Sequence, residues 1–212
     1  MFKESKIPDA TIERIALYSR PLERLLEKGE QLVSSERLAQ LCNVNPAQVR
    51  KDLSYFGEFG VRGIGYDVLD LLKEIRKILV SDREWKMGIV GLGNLGMALV
   101  ENANFAKRGY IFVAAFDLDP KRIGKELPCG LTIQSIEKLN TLKQDLGIAV
   151  GVIATQPSQA QTAADMLIGA GIKAILNFSP VQLRQPEGCL LENVDFSVKL
   201  DDLAYHLSKV ES

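Results

Sequence analysis

Three glycines with the spacing of a phosphate-binding loop lie near the middle of the chain. The segment Gly91-Leu92-Gly93-Asn94-Leu95-Gly96 directly follows the apolar run KMGIV and opens a helical pattern. In such a loop the first glycine permits a tight turn, the second lets the backbone approach a pyrophosphate, and the third allows close helix–strand packing. The helix N-terminus then presents unpaired N–H groups to the phosphates. The spacing therefore predicts a dinucleotide-binding loop over residues 91–96.

A carboxylate further along the chain strengthens this prediction. Asp117 lies 21 positions after Gly96, at the end of the next apolar run. A carboxylate at that point binds the hydroxyls of an adenosine ribose and repels a 2′-phosphate. The sequence therefore predicts NADH or NAD⁺ as the ligand, although Lys121 and Arg122 lie nearby and weaken the case against NADP(H). A Rossmann-like fold with an empty or mononucleotide-binding crevice stays open as an alternative.

The parts that a hydride-transfer enzyme needs are not evident. The sole histidine, His206, lies near the C-terminus on a predicted helix, and Lys173 and Lys199 have no evident partner. About 130 residues follow Asp82, and the sheet with its helices uses nearly all of them, which leaves no second domain for a substrate. We therefore expect a protein that senses the cofactor without an enzymatic activity. An NAD(H)-dependent oxidoreductase with an N-terminal helical assembly domain is the alternative.

Composition and cysteine usage exclude several other classes. The 212 residues include 46% hydrophobic and 25% charged residues with a formal net charge of −1, which is ordinary for a globular protein. Cys42, Cys129 and Cys189 are far apart and form no Cys-x-x-Cys pair, so we predict neither a disulfide framework nor a metal site. The sequence shows no signal peptide and no apolar run of membrane-spanning length. These features predict a cytoplasmic protein, and thiol sensing through one cysteine stays open.

Alternating strands and helices are predicted around the glycine loop. Apolar runs at 87–90, 110–116 and 148–154 indicate strands, and helical patterns cover 94–107, 135–146 and 158–170. Elements of these lengths in alternation predict a parallel, doubly wound sheet. We expect this domain to begin near Asp82.

The first 80 or so residues have helical spacing instead. Apolar positions predict a helix over 9–28, with a kink or a break at Pro21. A second helix, capped by Ser34 or Ser35, has an apolar face made by Leu38, Ala39 and Leu41. Pro46 opens a third helix that runs to about residue 56. A long helix, a short helix, a tight turn and a third helix form the outline of a helix-turn-helix.

A glycine-aromatic ribbon follows the third helix. The stretch VRKDLSYFGEFGVRGIGY covers residues 49–66 and begins as a helix with two basic side chains. Glycines at 57, 60, 63 and 65 then alternate with aromatic and branched residues. A hairpin at this position is where a winged-helix domain has its wing.

Taken together, these segments resemble the Rex family of bacterial redox-sensing transcriptional repressors over essentially the whole chain. The stretches that carry the resemblance are IPDATIERI, VSSERLAQL, NPAQVRKDLSYFGEFGVRGIGYDV, DREWKMGIVGLGNLGMAL, AAFDLDPKRIGKE, AGIKAILNFSP and LLENVDFSVKLDDLAYHL. The resemblance implies a winged-helix domain over 1–82, a Rossmann domain over 83–198 and a dimerisation helix over 199–212 that is swapped between two subunits. It also implies a homodimer that binds an inverted-repeat operator and is released when NADH rises relative to NAD⁺.

The resemblance assigns five residues to DNA binding. Arg50, Lys51, Ser54 and Tyr55 are placed on the recognition helix and Arg62 on the wing. An arginine or lysine in the major groove reads guanine best, hydroxyls reach phosphates or bases, and an arginine at a hairpin tip can enter a narrow minor groove. Arg50 and Lys51 could instead only solvate a helix face.

The resemblance also assigns residues to the cofactor and to a switch. The glycines of the loop and Asp117 match the family's cofactor site, and Phe196 matches an aromatic that enters the partner's nicotinamide pocket; core packing on a late strand is its alternative. Asp195 matches an acid of the switch, and Arg20 matches an arginine that contacts this acid in one state. Asn102 stands where the family often has a tyrosine on the first Rossmann helix.

One further departure from the family lies beside the predicted cofactor. Residues Thr155, Gln156 and Pro157 replace a more apolar stretch. An apolar pocket walled by Phe196 would disfavour the cationic ring of NAD⁺ by desolvation, so we expect a preference for NADH. A more polar crevice alters that preference. A regulator of similar build that binds coenzyme A or an adenylate stays open as well.

Overall fold

The change from amphipathic helical spacing to buried apolar strands falls near residue 84, where the chain divides into two units, Met1–Arg83 and Glu84–Ser212. A computed structural model describes residues 7–61, 63–185 and 187–210. Each unit has hydrophobic clusters of its own. Within those three ranges, no helix is both long and apolar enough to cross a membrane.

Within its described residues, the first unit consists of one long helix, three shorter helices and a small two-stranded ribbon. Its described elements are α1 (Asp9–Glu27), β1 (Leu32–Val33), α2 (Ser35–Cys42), α3 (Pro46–Ser54), β2 (Tyr66–Asp67) and α4 (Val68–Ile78). The side chains of Ser34, Asn45 and Asp67 accept hydrogen bonds from first-turn N–H groups of α2, α3 and α4. Those N–H groups have no acceptor within the helix, so a polar side chain before the helix fixes its start. β1 pairs antiparallel with β2 and brings the chain that follows α3 back to the start of α2.

The core of the first unit lies between α1 and the other helices. Its largest fully buried side chains are Ile15, Tyr18, Leu22, Leu38, Leu53, Leu72 and Ile75. α1 runs on to Glu27 through Pro21, which is buried, so the chain does not break there. The placement of Leu41 on the apolar face of α2 is wrong, because this side chain is 42% exposed.

The second unit is a parallel sheet. Its described elements are β3 (Trp85–Val90), α5 (Asn94–Val100), α6 (Ala103–Ala106), β4 (Tyr110–Asp117), β5 (Ile133–Ser135), α7 (Leu139–Leu146), β6 (Val150–Ile153), α8 (Pro157–Gly169), β7 (Ala174–Asn177), β8 (Leu190–Asn193) and α9 (Phe196–Val210). The strand order is β5-β4-β3-β6-β7-β8, and every pair is parallel. This order confirms the predicted Rossmann fold class.

Alternate residues of the central strands enter two separate cores. Ile89 and Ala115 pack in the cluster that includes α5 and α6. Val90 and Phe116 pack in the cluster that includes α7 and α8. Because successive side chains point to opposite faces of a strand, the sheet carries helices on both faces. The chain order reverses between β3 and β6, and a crevice opens at the carboxyl ends of strands at such a point.

Two predicted helices have other bounds. The single helix expected over 94–107 is broken after Val100, because Asn102 is extended and its side chain accepts from Asn104 N at 3.0 Å as the cap of α6. Asn102 is therefore not on the first Rossmann helix. The C-terminal helix begins at Phe196 instead of 199, since β8 ends at Asn193, and the alternative that placed Phe196 on a late strand is wrong.

Candidate functional site

The glycine loop connects β3 to α5 and leaves no room for side chains at its two ends. Gly91 has φ +97°, and a Cβ there would lie 2.8 Å from the carbonyl group of Ala154. A Cβ on Gly96 would overlap the carbonyl oxygen of Gly91. The first and third glycines are therefore required by the fold of the loop itself.

The middle glycine has a different environment. Gly93 has φ −70°, an ordinary value for any residue, and a Cβ added there would have no neighbour within 4 Å. It faces a cavity of about 390 Å³ at the carboxyl ends of β3, β4 and β6. The residues that line this cavity are Gly91, Leu92, Gly93, Asp117, Asp119, Arg122, Ala154, Thr155, Gln156 and Gln159. The space above Gly93 is what close approach of a phosphate to the backbone needs.

Asp117 ends β4 and is tied to the glycine loop. It is 8% exposed, and its two carboxylate oxygens accept from the backbone N–H groups of Leu92 and Asp119, each at 2.9 Å. An ionised carboxylate accepts about four hydrogen bonds, so each oxygen retains capacity for a sugar hydroxyl. The Leu92 side chain is buried, whereas Asn94 and Leu95 lie exposed in the first turn of α5.

Arg122 joins this arrangement, and sequence reasoning assigned it no such role. Its Nη1 donates to the carbonyl oxygen of Leu92, and its Nε lies 3.9 Å from carboxylate oxygens of both Asp117 and Asp119. The guanidinium thus neutralises part of the carboxylate charge beside the loop. The signal for this role was the position of Arg122 five residues after Asp117. From the sequence, that position was considered only for its effect on the choice between NAD(H) and NADP(H).

A hydroxyl pair lies on the other side of the reversal point, after β6 and β7. Ser179 Oγ donates to the carbonyl oxygen of Thr155 at 2.6 Å, and the two hydroxyl oxygens are 3.5 Å apart. Asn177 is 0% exposed, and its amide donates to Ser179 O, Val181 O and Asn193 Oδ1 at 2.8–3.1 Å. Asn177 and Ser179 were not singled out from the sequence. Their signal was a pair of polar residues in the segment LNFSP, one at the end of β7 and the other two positions later.

Phe196 lies at the surface of the described chain. It is the first residue of α9 and is 60% exposed, so core packing does not explain it. Its ring centroid lies 6.5 Å from that of Phe178, which follows β7. Asp195 directly precedes it and accepts from both the N–H and the hydroxyl of Ser197, at 2.9 and 2.6 Å. Hydrogen bonds from the Ser197 hydroxyl and N–H lower the pKa of Asp195 below its usual value.

α9 has no buried residue within the single chain. Its large apolar side chains are between 57% and 83% exposed. They are Phe196, Val198, Leu200, Leu203, Tyr205, Leu207 and Val210. Five of them, at positions 196, 200, 203, 207 and 210, recur every three or four residues and therefore share one face of the helix. An exposed apolar face of this kind marks an interaction site.

In the first unit, the predicted DNA-binding residues lie on and just beyond α3. Arg50, Lys51 and Ser54 are exposed on the helix, while Val49 and Leu53 pack in the core. Tyr55 is half-buried and lies one residue past the helix as its C-cap. Arg62 lies outside the described residues.

Arg50 has partners on the neighbouring helix. Its Nη1 donates to Ser35 Oγ at 2.7 Å and to Glu36 Oε1 at 3.1 Å. This ion pair is exposed at both ends, so it contributes little stability. Water or a phosphate can therefore replace Glu36 as a partner of Arg50 at low cost.

The ribbon after α3 folds back on itself. Val61 and Gly65 form an antiparallel bridge, and Gly65 then passes so close to β1 that a Cβ would lie 2.6 Å from Val33 O. An open groove of about 680 Å³ separates the ribbon from the end of α3 and the start of α2. The hairpin therefore lies where the sequence placed a wing.

The switch arginine and the cysteines occupy separate places. Arg20 is exposed on α1 and lines a groove of about 330 Å³ that also contains Arg24, Lys28 and Arg37. Burial raises the pKa of the Cys42 and Cys189 thiols. A raised pKa lowers the thiolate fraction and makes these two thiols poor redox sensors.

Family profiles match both units of the chain. A profile described as "Putative DNA-binding protein N-terminus" matches residues 6–54, and one described as "CoA binding domain" matches residues 82–181. A protein of Syntrophobacter fumaroxidans named "Redox-sensing transcriptional repressor Rex" is 54% identical over 206 residues, which is 97% of this chain and 98% of that protein.

Solved structures of similar fold carry ligands. The crystal structure of RSP in complex with β-NAD⁺ and operator DNA matches with a TM-score of 0.90 and 35% identity, over 98% of this chain and 95% of that one. The crystal structure of RSP in complex with β-NADH matches with a TM-score of 0.87 and 33% identity, over 98% and 97% of the two chains.

Proposed function

The chain belongs to the Rex family of redox-sensing transcriptional repressors, and we propose that it binds operator DNA as a homodimer and leaves the DNA when NADH binds. Its relatives are named as repressors, and this protein is likewise a regulator and not an enzyme. Because a repressor acts on the chromosome, we place it in the cytoplasm.

One observation carries the ligand assignment, namely the contrast between the three glycines of the loop. Gly91 and Gly96 are packed against protein atoms, whereas Gly93 faces open space beside the carboxylate of Asp117. If the loop needed glycine only for packing, protein atoms would lie close to all three glycines. Space at the middle position supports close approach of a pyrophosphate, and the spare acceptor capacity of Asp117 supports a ribose.

The two halves of the dinucleotide have different partners. We assign the adenosine ribose to Asp117 at the end of β4 and the nicotinamide to the ends of β6 and β7. The chain order reverses between β3 and β6, and a dinucleotide lies across the crevice at that point. The nicotinamide ring is cationic in NAD⁺ and neutral in NADH. Phe196 offers an apolar wall that disfavours the cation, while the hydroxyls of Thr155 and Ser179 reduce that penalty. We therefore expect a preference for NADH that is weaker than an entirely apolar pocket would give.

Ligand preference alone does not release DNA. NADH must bind the dimer arrangement that is incompetent for DNA more tightly than the competent one. Inverting a 1:99 population requires about 5.5 kcal/mol of differential binding, and two sites in a dimer reduce this to roughly 2.7 kcal/mol each. A change of partner at one charged group has this magnitude. We propose that Asp195 exchanges Ser197 for Arg20 in one state, with Asn102 in place of the family's tyrosine.

The exposed apolar side chains of α9 support the homodimer. A helix with seven large apolar residues in water is a liability for a monomer. We propose that α9 packs on a second copy of the chain and brings Phe196 to the partner's cofactor. Truncation after Asn193 should give a monomer by sedimentation equilibrium, and a truncated chain that still dimerises would contradict this assignment.

The central test is an operator titration. A duplex that the protein selects from random-sequence DNA is titrated at one stated salt concentration, because phosphate contacts make affinity salt-dependent. Saturating NADH should weaken binding by at least about tenfold, and NAD⁺ should change it less. An operator affinity that NADH leaves unchanged would disprove the sensing function.

Coenzyme A is the second candidate ligand, because the "CoA binding domain" profile matches the same unit. A thermal-shift comparison of NADH, NAD⁺, NADPH and coenzyme A separates the two at equal concentration. We expect NADH to give the largest shift. A larger shift with coenzyme A would replace the cofactor assignment while leaving the DNA-binding function in place.

A further inference from the structure

The buried face of α3 contains a carboxylate. Val49, Asp52 and Leu53 are the buried residues of this helix, and Asp52 is 0% exposed. Aspartate is almost never fully buried unless it is paired. The exposed face of the same short helix carries Arg50 and Lys51. The carboxylate therefore lies directly behind the surface that we assign to DNA.

Side chains of α1 surround this carboxylate. Arg14 donates to both of its oxygens, at 2.6 and 2.8 Å. The hydroxyls of Tyr18 and Thr11 donate at 2.7 and 3.3 Å. Gln48 of α3 itself donates at 2.7 Å. Five hydrogen bonds thus converge on Asp52, and all but one of them cross from α1 to α3.

These bonds do something that the apolar contacts of α3 do not. Packing of Val49 and Leu53 is non-directional, so a helix held by them alone retains freedom to slide or rotate. Hydrogen bonds have preferred lengths and angles, and the four that reach Asp52 from α1 define one rotation and one axial position of α3. The Asp52 side chain is fully buried, while that of Arg14 is 25% exposed. An ion pair with a buried partner often adds little net stability, because desolvation of the charges offsets their attraction. Its main effect is then on geometry.

The geometry matters because the exposed face of α3 has to meet DNA in register. A helix turns by about 100° per residue, and base contacts depend on donor–acceptor distances of about 2.7–3.2 Å. A slide of about 1 Å is enough to lose them. We propose that Asp52 is a positioning residue for operator selectivity, which it sets by fixing α3 against α1 through Arg14, Tyr18 and Thr11. This inference rests on the proposed DNA-binding function.

An apolar replacement of the whole cluster separates positioning from stability. The triple variant Arg14→Met, Tyr18→Phe, Asp52→Leu replaces the ion pair and its buried hydroxyl partner with apolar side chains and removes both charges together, a change that proteins often tolerate without loss of stability. We expect a folded dimer with unchanged NADH affinity. The ratio of its affinities for the selected duplex and for a scrambled duplex should fall by about tenfold or more, the discrimination of one base pair. Wild-type selectivity in the folded triple variant would overturn the proposal.

A milder variant decides the question if the triple variant fails to fold. Tyr18→Phe keeps the ring in the core and removes a single hydrogen bond to Asp52. It should reduce the selectivity ratio by about two- to tenfold, and an unchanged ratio would overturn the proposal. Glu23→Gln is the matched control, because it breaks a surface ion pair between α1 and α4 and should leave selectivity unchanged. If the wild-type protein itself selects no sequence, the proposed function fails instead.

Discussion

Substitution of Gly93 by alanine tests the nucleotide cleft most directly. The backbone there has φ −70°, and the added methyl group meets no atom within 4 Å, so the melting temperature of the ligand-free protein should fall by only about 2–4 °C, the cost of alanine at a helix N-cap. The same methyl group occupies the space through which a pyrophosphate approaches the loop. Loss of one hydrogen bond to a charged phosphate costs about 1.5–3 kcal/mol, so the Kd for NADH should rise by about 10- to 150-fold.

Two other glycines provide the contrast and the control. Gly91→Ala has to place a side chain at φ +97° and 2.8 Å from Ala154, so it should lower the melting temperature before any ligand is added. Gly169→Ala, at the end of α8, also meets open space but lies away from the cavity, and it should leave NADH affinity unchanged. NADH affinity is measured by calorimetry and the melting temperature by circular dichroism. Wild-type NADH affinity in Gly93→Ala would refute the assignment of this cleft.

Three further predictions concern the first unit and the cysteines. Lys51→Ala should weaken operator binding by about 1–3 kcal/mol and spare the Kd for NADH; a parallel loss of both would contradict separate sites. Burial alone raises the pKa of Asp52, but hydrogen bonds from Arg14, Tyr18 and Gln48 outweigh it and lower that pKa. The carboxylate of Asp52 therefore binds a proton more readily in the unfolded chain, so the urea midpoint of unfolding should fall as the pH drops below about 4 and through the folded pKa. The midpoint should fall less with pH in the triple apolar variant. An equal dependence of the midpoint on pH in the two proteins would contradict the role of the network. Iodoacetamide should modify the exposed Cys129 before Cys42 and Cys189, because burial raises the pKa of those two thiols. The singly alkylated protein should keep its operator response to NADH. Loss of that response would favour thiol sensing.

Local patterns in the sequence were enough for the cleft and the fold class. Gly91, Gly93 and Gly96 lie in one short loop, and Asp117 ends the next strand. The strand–helix–strand order therefore fixes their positions relative to one another. The caps of α2, α3 and α4 are equally local, since each polar side chain binds an N–H two or three residues further on.

Side-chain partners at long range were beyond sequence reasoning. Asp52 reads as one more charge on a helix that already has Arg50 and Lys51, and only the packing of α1 shows that it is buried and paired. Arg122 gains its role from the return of β4 beside the loop, which brings its guanidinium to Leu92 O. The break at Asn102 was missed because asparagine is a tolerable helix residue, and its capping bond to Asn104 N becomes evident only in the fold.

The ligand chemistry of the chain follows from local sequence, because the glycine spacing, the strand periodicity and the carboxylate at the end of a strand act over distances that the backbone sets. Only the packing of the folded chain shows which charged side chains pair with one another. Packing surrounds Asp52 with donors from α1 and pairs Arg50 with Glu36. It also leaves the side chains of α9 without burial in the single chain. Side-chain pairing depends on how helices distant in sequence pack, and the number of ways to pack them is too large for local patterns to resolve.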